Sequence, residues 1–340
     1  METKAKNQEV RRLGKTGPEV LRLGVGCMGF GGWYGQTDER ESIRMLHAAI
    51  ERGATLLDTG DFYGMGASEL VVGKAIADRR DKVVLSVKFG ALRAPDNAWL
   101  GMDTRPQAVK TFAAYSLKRL GVEAIDIYRP SRLDPAVPIE DTVGAIADLI
   151  KSGYVRHVGL SEVGVDTIRR ANAVHPVADL QIEYSLASRN AEAHIFPVLR
   201  ELGIGATLYG VYSRGLLTGR KPQGKGDLRA YLPRFSGQNR EKNDDVVEKL
   251  RAFAAERQRS VAEMALGWVL ARVPDFHPVV GLKTMQQLDE AFAALERPLS
   301  AAHVSALDAL LPAGAFAGER YGDEQMRHLD SEKKPGAHAS

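Results

Sequence analysis

Three side chains suited to acid–base chemistry follow two apolar stretches of the sequence. Asp58 comes directly after two leucines, Tyr63 lies five residues later, and Lys88 follows Leu-Ser-Val. An unpaired charge in such apolar surroundings is costly, so we expect Asp58 and Lys88 to pair with each other. A cation beside the Tyr63 phenol lowers its pKa, which makes Tyr63 a candidate general acid. A purely structural ion pair and a core tyrosine are the alternatives.

The elements that would position these side chains are short apolar strands alternating with helices. Continuous apolar strands separated by helices indicate parallel strands covered on both faces, and eight such units favour a closed (β/α)8 TIM barrel of the α/β class. A short β-hairpin is predicted before the barrel, across Gly17-Pro18, and an extra helix after it. The predicted barrel strands span residues 23–26, 54–60, 82–90, 124–128, 155–162, 179–185, 204–211 and 276–282.

The domain organisation follows from the same pattern. We predict one barrel domain over residues 10–312, with flexible termini at 1–9 and 313–340. Residues 218–243 are polar and rich in Gly and Pro, which predicts a functional lid or a disordered excursion.

Composition excludes several classes of partner. The 340 residues carry 46 basic and 43 acidic side chains, evenly mixed, so neither nucleic acid nor an anionic membrane is an expected partner. No apolar run approaches the ~18 residues of a membrane helix, and the polar N-terminal stretch does not have the pattern of a signal peptide. With a single cysteine, the sequence predicts a cytoplasmic protein, and it assigns no oligomeric state. Histidines at metal-ligand spacing are absent, so no metal site is expected.

Five motifs in order along the chain resemble those of the aldo-keto reductase family. LLDTGDFYGMGASELVVGKAI is similar to the family signature around its aspartate and tyrosine, and LSVKFG resembles its lysine strand. GYVRHVGLSEV and LQIEYS resemble the strands that hold the nicotinamide carboxamide. LYGVYSRGLLTG resembles the segment that stacks on the nicotinamide and follows the pyrophosphate. The resemblance covers residues 11–312.

The resemblance implies a barrel that binds NADPH or NADP+ without a Rossmann motif and transfers the 4-pro-R hydride to an aldehyde or ketone. Tyr63 would protonate the developing alkoxide, tuned by Lys88 and Asp58, with Ser131 at the position of a fourth catalytic residue. The implied cofactor-binding residues are Gly26, Met28, Asp58, Ser161, Glu162, Gln181, Tyr209, Gly210, Arg214, Gly215, Leu217, Gly281, Lys283, Gln287 and Glu290. Among them, Ser161 and Gln181 would hold the carboxamide, Tyr209 would stack on the ring, and Lys283 would pair with the 2′-phosphate.

The sequence departs from the family pattern at three positions. Ser131 replaces the usual histidine, so we expect it to contact the substrate carbonyl or a water and not to relay protons. Glu162 replaces an asparagine beside the carboxamide, which puts a potential charge there. Ala291 replaces an asparagine that contacts adenine, so that contact is not expected.

The substrate pocket is predicted from aromatic residues at the barrel mouth. These aromatics favour a bulky apolar carbonyl, xenobiotic ketones included. The predicted lining residues are Trp33, Tyr34, Phe62, Trp99 and Arg129. The main alternative to an NADPH-dependent reductase is a cofactor-sensing regulatory subunit resembling potassium-channel β subunits, with slow turnover. A barrel lyase or isomerase using Lys88 as a Schiff-base amine is a third reading.

Overall fold

The computed structural model describes residues 10–33, 35, 38–222 and 227–333. Its strands are β1 (Val10–Arg12), β2 (Glu19–Leu21), β3 (Gly24–Gly26), β4 (Leu56–Gly60), β5 (Val84–Phe89), β6 (Ala91–Arg93), β7 (Trp99–Met102), β8 (Ile125–Pro130), β9 (Val155–Ser161), β10 (Val177–Glu183), β11 (Gly205–Tyr209) and β12 (His277–Gly281). Its helices are α1 (Glu39–Glu51), α2 (Ala67–Ile76), α3 (Pro106–Leu120), α4 (Ile139–Lys151), α5 (Val165–Val174), α6 (Ile195–Leu202), α7 (Gly237–Ala255), α8 (Val261–Arg272), α9 (Met285–Glu296), α10 (Ala301–Leu310) and α11 (Asp323–Arg327).

Eight strands form a closed barrel in the order β3-β4-β5-β8-β9-β10-β11-β12, and every neighbouring pair is parallel. The predicted (β/α)8 barrel is therefore confirmed. Strands such as β8, buried along all six residues, lie between the barrel interior and the surrounding helices, which is why their apolar runs are continuous. Helix α1 begins directly after Asp38, whose carboxylate accepts a hydrogen bond from the Glu41 amide.

The predicted N-terminal hairpin is formed by β1 and β2 and packs against the N-terminal end of the barrel. Val20 of the hairpin joins Leu56 and Val279 of the barrel strands in a small apolar cluster. Gly14 has φ +64°, and a Cβ there would lie 2.4 Å from the nitrogen of Gly205 at the start of β11. Only glycine permits this close approach of the hairpin to the barrel.

At the opposite end of the barrel, two segments that the sequence leaves irregular contain secondary structure. β6 and β7 form an antiparallel hairpin directly after β5. The irregular stretch predicted over 218–243 is too long, because α7 begins at Gly237. The first turn of α7 carries no apolar residue that would signal a helix, and its first buried side chain is Asn243, which donates to the carbonyl oxygens of Arg234 and Ala317.

Residues 313–333, here called the C-terminal segment, pack against the barrel. The sequence predicts a flexible terminus over 313–340, yet Phe316, Arg320 and Leu329 in this segment are buried. The Asp330 carboxylate accepts hydrogen bonds from the Gly164 amide and the Thr167 hydroxyl at the start of α5. The rest of the predicted flexible termini, 1–9 and 334–340, lies outside the described residues. Among those described, no helix combines the length and apolar character needed to cross a membrane.

Candidate active site

The three predicted chemical groups meet at the C-terminal ends of β4 and β5. Asp58 Oδ1 accepts a hydrogen bond from Lys88 Nζ, and both side chains are buried. Lys88 Nζ lies 5.2 Å from the centroid of the Tyr63 ring. The Phe62 ring packs edge-on against Tyr63, with 4.8 Å between the ring centroids. The structure thus brings together a carboxylate, an amine and a phenol in one buried site.

The charges of this site offset one another. Burial favours the neutral form of Asp58, but the charges of Lys88 and Arg129 outweigh it and hold the pKa of Asp58 below its ordinary value. Burial lowers the pKa of Lys88, an effect that Asp58 opposes and Arg129 reinforces. The pKa of Lys88 therefore lies below that of a surface lysine.

Arg129 does not line the substrate pocket that the sequence predicts for it. Its side chain is fully buried inside the barrel, where Arg129 Nη1 lies 2.9 Å from Asp179 Oδ2. It turns inward because a guanidinium excluded from water needs charged and polar partners, which the barrel interior supplies.

Ser131 is buried at the end of β8, and its hydroxyl lies 3.5 Å from the sulfur of Met102 on β7. The neighbouring Arg132 donates to the Ser131 carbonyl oxygen and to the Tyr321 hydroxyl, at 2.6 Å and 3.1 Å. Arg132 therefore links the β8 end to the C-terminal segment. A substrate contact of Ser131 stays a prediction.

Two predicted carboxamide ligands have the right chemistry to hold a nicotinamide. Ser161 is fully buried, and its hydroxyl has no hydrogen-bond partner among the described residues. The amide nitrogen of Gln181 donates to Asp58 Oδ2 at 2.8 Å and to Thr207 Oγ1 at 3.3 Å. An orphaned buried hydroxyl is the kind of group that a ligand amide satisfies, so these residues fit the cofactor.

The side chains of three other predicted cofactor residues are engaged by protein groups instead. Both Glu162 carboxylate oxygens accept hydrogen bonds from Arg320, at 2.8 Å and 2.6 Å. The Tyr209 hydroxyl donates to Glu162 Oε1 and lies 3.0 Å from the Tyr321 hydroxyl. Arg214 Nη2 pairs with Glu183 Oε2 at 2.8 Å. The predicted cofactor contacts of the Glu162 carboxylate and the Arg214 guanidinium therefore do not match this geometry, because both groups already have buried ionic partners.

The ion pair between Glu162, which follows β9, and Arg320 joins the barrel to the C-terminal segment. Burial would raise the pKa of Glu162, but Arg320 outweighs it and holds that pKa well below the usual range. Burial together with Glu162 raises the pKa of Tyr209 well above its ordinary value. Tyr209 is therefore a neutral phenol, and only its ring remains available to stack on a nicotinamide.

The remaining predicted cofactor residues lie on two neighbouring parts of the mouth. Gly26 of β3 is in register with Gly281 of β12, and Met28 follows in a 3-10 turn. The Lys283 amide donates to Gln287 Oε1 at 2.7 Å, while Glu290 instead accepts from Gln286. Gly210 and Gly215 have φ of +70° and +90° in the turn after β11, and Leu217 is fully buried behind it.

Lys283 is half-buried among other cations that the sequence reading missed. Burial lowers the pKa of Lys283, Arg229 and Arg220 lower it further, and Asp227, the ion-pair partner of Arg229, partly opposes them. Cations held close together at the cost of mutual repulsion are suited to an anionic group such as a phosphate. Both arginines belong to the 218–243 stretch, whose folded structure the sequence pattern does not predict.

The aromatic mouth is also more charged than the sequence predicts. The Arg93 guanidinium on β6 lies 4.7 Å from the centroid of a Trp33 ring and 5.1 Å from that of a Trp99 ring. Trp99 is 49% exposed, so it borders the mouth and does not fill it. Tyr34, predicted to line the same pocket, lies outside the described residues.

A closed eight-stranded barrel with a buried aspartate–lysine pair and a tyrosine at the C-terminal strand ends defines an α/β-barrel enzyme. Comparison with known proteins identifies its family. The sequence model of the Aldo/keto reductase family matches residues 22–312. A "Probable aldo-keto reductase 1" from Glycine max is 40% identical over 327 residues, covering 94% of this chain and 93% of the relative.

Solved structures agree with this match. A glycerol dehydrogenase from Gluconobacter oxydans superposes with a TM-score of 0.80 at 27% identity, over 98% of this chain and 99% of that one. The holo form of an aldo-keto reductase from Bacillus halodurans gives a TM-score of 0.75 at 28% identity, over 92% and 99%. The chain belongs to the aldo/keto reductase family. It is an oxidoreductase of a family that reduces carbonyl groups and generally uses nicotinamide cofactors.

Proposed function

We propose that this protein is an NADPH-dependent reductase of aldehydes or ketones in which Tyr63 is the general acid. The observation that carries the proposal is the buried Asp58–Lys88 pair next to the Tyr63 ring. NADPH supplies the hydride that reduces the carbonyl carbon. Each turnover also needs one proton at the carbonyl oxygen, and the chain must provide it.

The site is suited to deliver that proton from Tyr63. The Lys88 ammonium favours the phenolate that remains after transfer, which lowers the barrier to giving up the phenolic proton. Asp58 keeps Lys88 charged in a site that excludes water. Solvent returns a proton to Tyr63 after the alcohol leaves.

NADPH would be held at three places. Ser161 and Gln181 would take the carboxamide, and the Tyr209 ring would stack on the nicotinamide. The backbone between Gly210 and Leu217 would follow the pyrophosphate. Lys283 would meet the 2′-phosphate, with Arg220 and Arg229 adding positive charge.

The substrate would enter beside the wall that the Trp33 and Trp99 side chains form, with Phe62 packed behind Tyr63. Apolar ring faces favour a bulky apolar carbonyl compound. The Arg93 guanidinium between the indoles adds one cation to that wall.

The test is steady-state NADPH oxidation with a panel of aldehydes, ketones, quinones and terpenoid carbonyls. Tyr63→Phe should lower kcat by about 10²-fold or more while NADPH affinity stays nearly unchanged. Tyr115→Phe is the matched control, since Tyr115 is an exposed tyrosine on α3. Wild-type turnover by Tyr63→Phe would remove Tyr63 as the acid, and bound NADPH that no carbonyl oxidises would argue against a reductase.

A further inference from the structure

The barrel interior beneath Asp58 holds a second buried ion pair, formed by Arg129 of β8 and Asp179 of β10. Both side chains are fully buried, with Arg129 Nη1 2.9 Å from Asp179 Oδ2. Barrel interiors are usually filled by branched apolar side chains. A charged pair in this place is costly to bury unless further polar groups satisfy it.

The pair belongs to a closed ring of hydrogen bonds that includes Asp58. On one side, Arg129 Nη2 donates to Ser86 Oγ at 2.9 Å, and Ser86 Oγ donates to Asp58 Oδ2 at 2.8 Å. On the other side, Thr207 Oγ1 donates to Asp179 Oδ2 at 2.6 Å and accepts from Gln181 Nε2. Gln181 Nε2 closes the ring by donating to Asp58 Oδ2 at 2.8 Å.

Proton counting fixes the direction of every bond in this ring. Arg129 has only donors, so the Ser86 hydroxyl must accept from it, and its single hydrogen points at Asp58. Asp179 accepts from Arg129 and from Thr207, so the Thr207 hydroxyl is left to accept from Gln181. Asp58 Oδ2 consequently receives two donors, and Asp58 Oδ1 is left for Lys88.

We propose that Arg129 is a positioning residue for carbonyl reduction, acting through Ser86 to fix the Asp58 carboxylate and, through Asp58, the Lys88 ammonium beside Tyr63. Asp179 holds Arg129 in place and balances its charge. This inference rests on the proposed function, because the group being positioned is the one that delivers the proton.

A second consequence concerns Gln181, whose two amide hydrogens are both used in the ring, so only its carbonyl oxygen can meet a cofactor amide.

Arg129 also acts on the site through its charge. Asp58 and Lys88 interact with each other and with Arg129. Lys88 also interacts with Arg132 and lies beside the Tyr63 ring, and both groups act on the buried Cys27 thiol. Arg129 lowers the pKa of both Asp58 and Lys88. Asp179, 2.9 Å from Arg129 Nη1, offsets part of this positive influence, so the double variant tests mainly the position of Asp58 and Lys88.

The first test uses two variants that break the ring differently. Arg129→Met/Asp179→Asn removes both buried charges together, so neither is left unpaired. Ser86→Ala removes only the hydroxyl and keeps every charge. Both should lower kcat about 10-fold or more, with KM and the Kd of NADPH within about twofold of wild type, since misplacing a catalytic group affects the chemical step.

The control is Arg80→Met/Asp126→Asn, which removes the 2.8 Å ion pair between Arg80, just before β5, and Asp126 near the N-terminal end of β8. Asp126 also pairs with Arg156, whose exposed guanidinium keeps its contact with water in the variant. The control variant should leave kcat unchanged. If the Arg129/Asp179 variant does not fold, Ser86→Ala carries the test alone. A folded Ser86→Ala or Arg129/Asp179 variant with wild-type kcat overturns the proposal.

A second readout does not depend on turnover. With ¹³Cζ-labelled tyrosine, the Tyr63 resonance, assigned through Tyr63→Phe, can be titrated with pH by NMR. The midpoint should move to higher pH in Arg129→Met/Asp179→Asn and stay in place in the Arg80/Asp126 control. An unchanged midpoint overturns the proposal. A shifted midpoint in a protein that reduces no carbonyl supports the positioning of Lys88 while refuting the proposed function.

Discussion

Replacing Arg320 by methionine should release the C-terminal segment from the barrel. Arg320 is 5% exposed and donates to both oxygens of the fully buried Glu162 carboxylate. It also donates twice to Glu332 Oε1, at 2.7 Å and 3.0 Å, within its own segment. Methionine keeps most of the apolar stem and removes only the charged head.

The expected magnitude follows from the burial of the pair. Breaking a buried ion pair by removing one partner costs about 3–5 kcal/mol, because the other charge is left unpaired. The C-terminal segment can escape part of this cost by detaching, which lets water reach Glu162. The loss should therefore appear as local opening of residues 313–333, with a smaller change in global unfolding.

Amide hydrogen exchange measured by mass spectrometry detects that opening. A destabilisation of about 3 kcal/mol corresponds to ~100-fold faster exchange in the C-terminal segment. Trypsin should also cleave earlier after Arg327 in α11. Exchange in the peptides of β4 and β5 should remain as in wild type.

Two further variants test the reasoning. Arg170→Met removes a surface ion pair with Glu140 of similar geometry, and it should have little effect because exposed pairs contribute little. Adding Glu162→Gln to Arg320→Met removes the stranded charge and should recover part of the protection. Wild-type exchange in the Arg320→Met segment would refute the idea that this pair holds it.

Three other predictions concern the cofactor site, the β8 end and the barrel floor. Lys283→Ala should weaken the binding of NADPH by at least about 10-fold in fluorescence titrations and leave the binding of NADH nearly unchanged. The exposed control Lys110→Ala should change neither. Equal weakening of both cofactors would show that Lys283 does not bind the 2′-phosphate. Ser131→Ala should lower kcat/KM about 10-fold, the cost of one lost hydrogen bond. An unchanged value would show that Asp58, Tyr63 and Lys88 suffice for catalysis without Ser131. Burial, and then the charge of Arg22, lowers the pKa of His277 to about 4, so the unfolded chain binds a proton that the folded chain does not as pH falls below about 6.5. Urea unfolding should therefore show stability decreasing between about pH 6.5 and pH 4, by roughly 3 kcal/mol from this group, and His277→Phe should flatten that part of the profile.

The barrel and its chemical trio were predictable because local patterns determine them. The run from residue 82 to 90 is β-branched and apolar, and it forms β5 over Val84–Phe89. Once the barrel is recognised, the end of each strand must lie at the mouth, which brings Asp58, Tyr63 and Lys88 together without further information.

The position of Arg129 was not predictable from the same patterns. All six residues of β8 are buried, so burial does not tell which side chains face the barrel interior and which face the helices. Tyr128 faces the helices, where its hydroxyl contacts the Val109 carbonyl of α3, and Arg129 faces the interior. The partner of Arg129 is Asp179, fifty residues away in sequence.

The C-terminal segment was missed for a related reason. Its polar and glycine-containing composition is typical of a loose terminus. Its order depends on Arg320 meeting Glu162, a residue 158 positions earlier in the chain. Only the closed barrel brings Glu162 to that place, so no local window of the sequence contains the signal.

Arg320, which pairs with Glu162, lies late in the chain, and this has a consequence for the folding of the newly synthesised protein. Every barrel strand precedes residue 282, so during synthesis the strands leave the ribosome before the residues that cover Glu162 and Tyr209. A nascent barrel therefore passes through a stage in which the buried Glu162 still lacks its cation. Chains whose synthesis stops near Pro312 would contain all eight barrel strands and keep that unpaired charge, a defect that quality-control proteases could recognise.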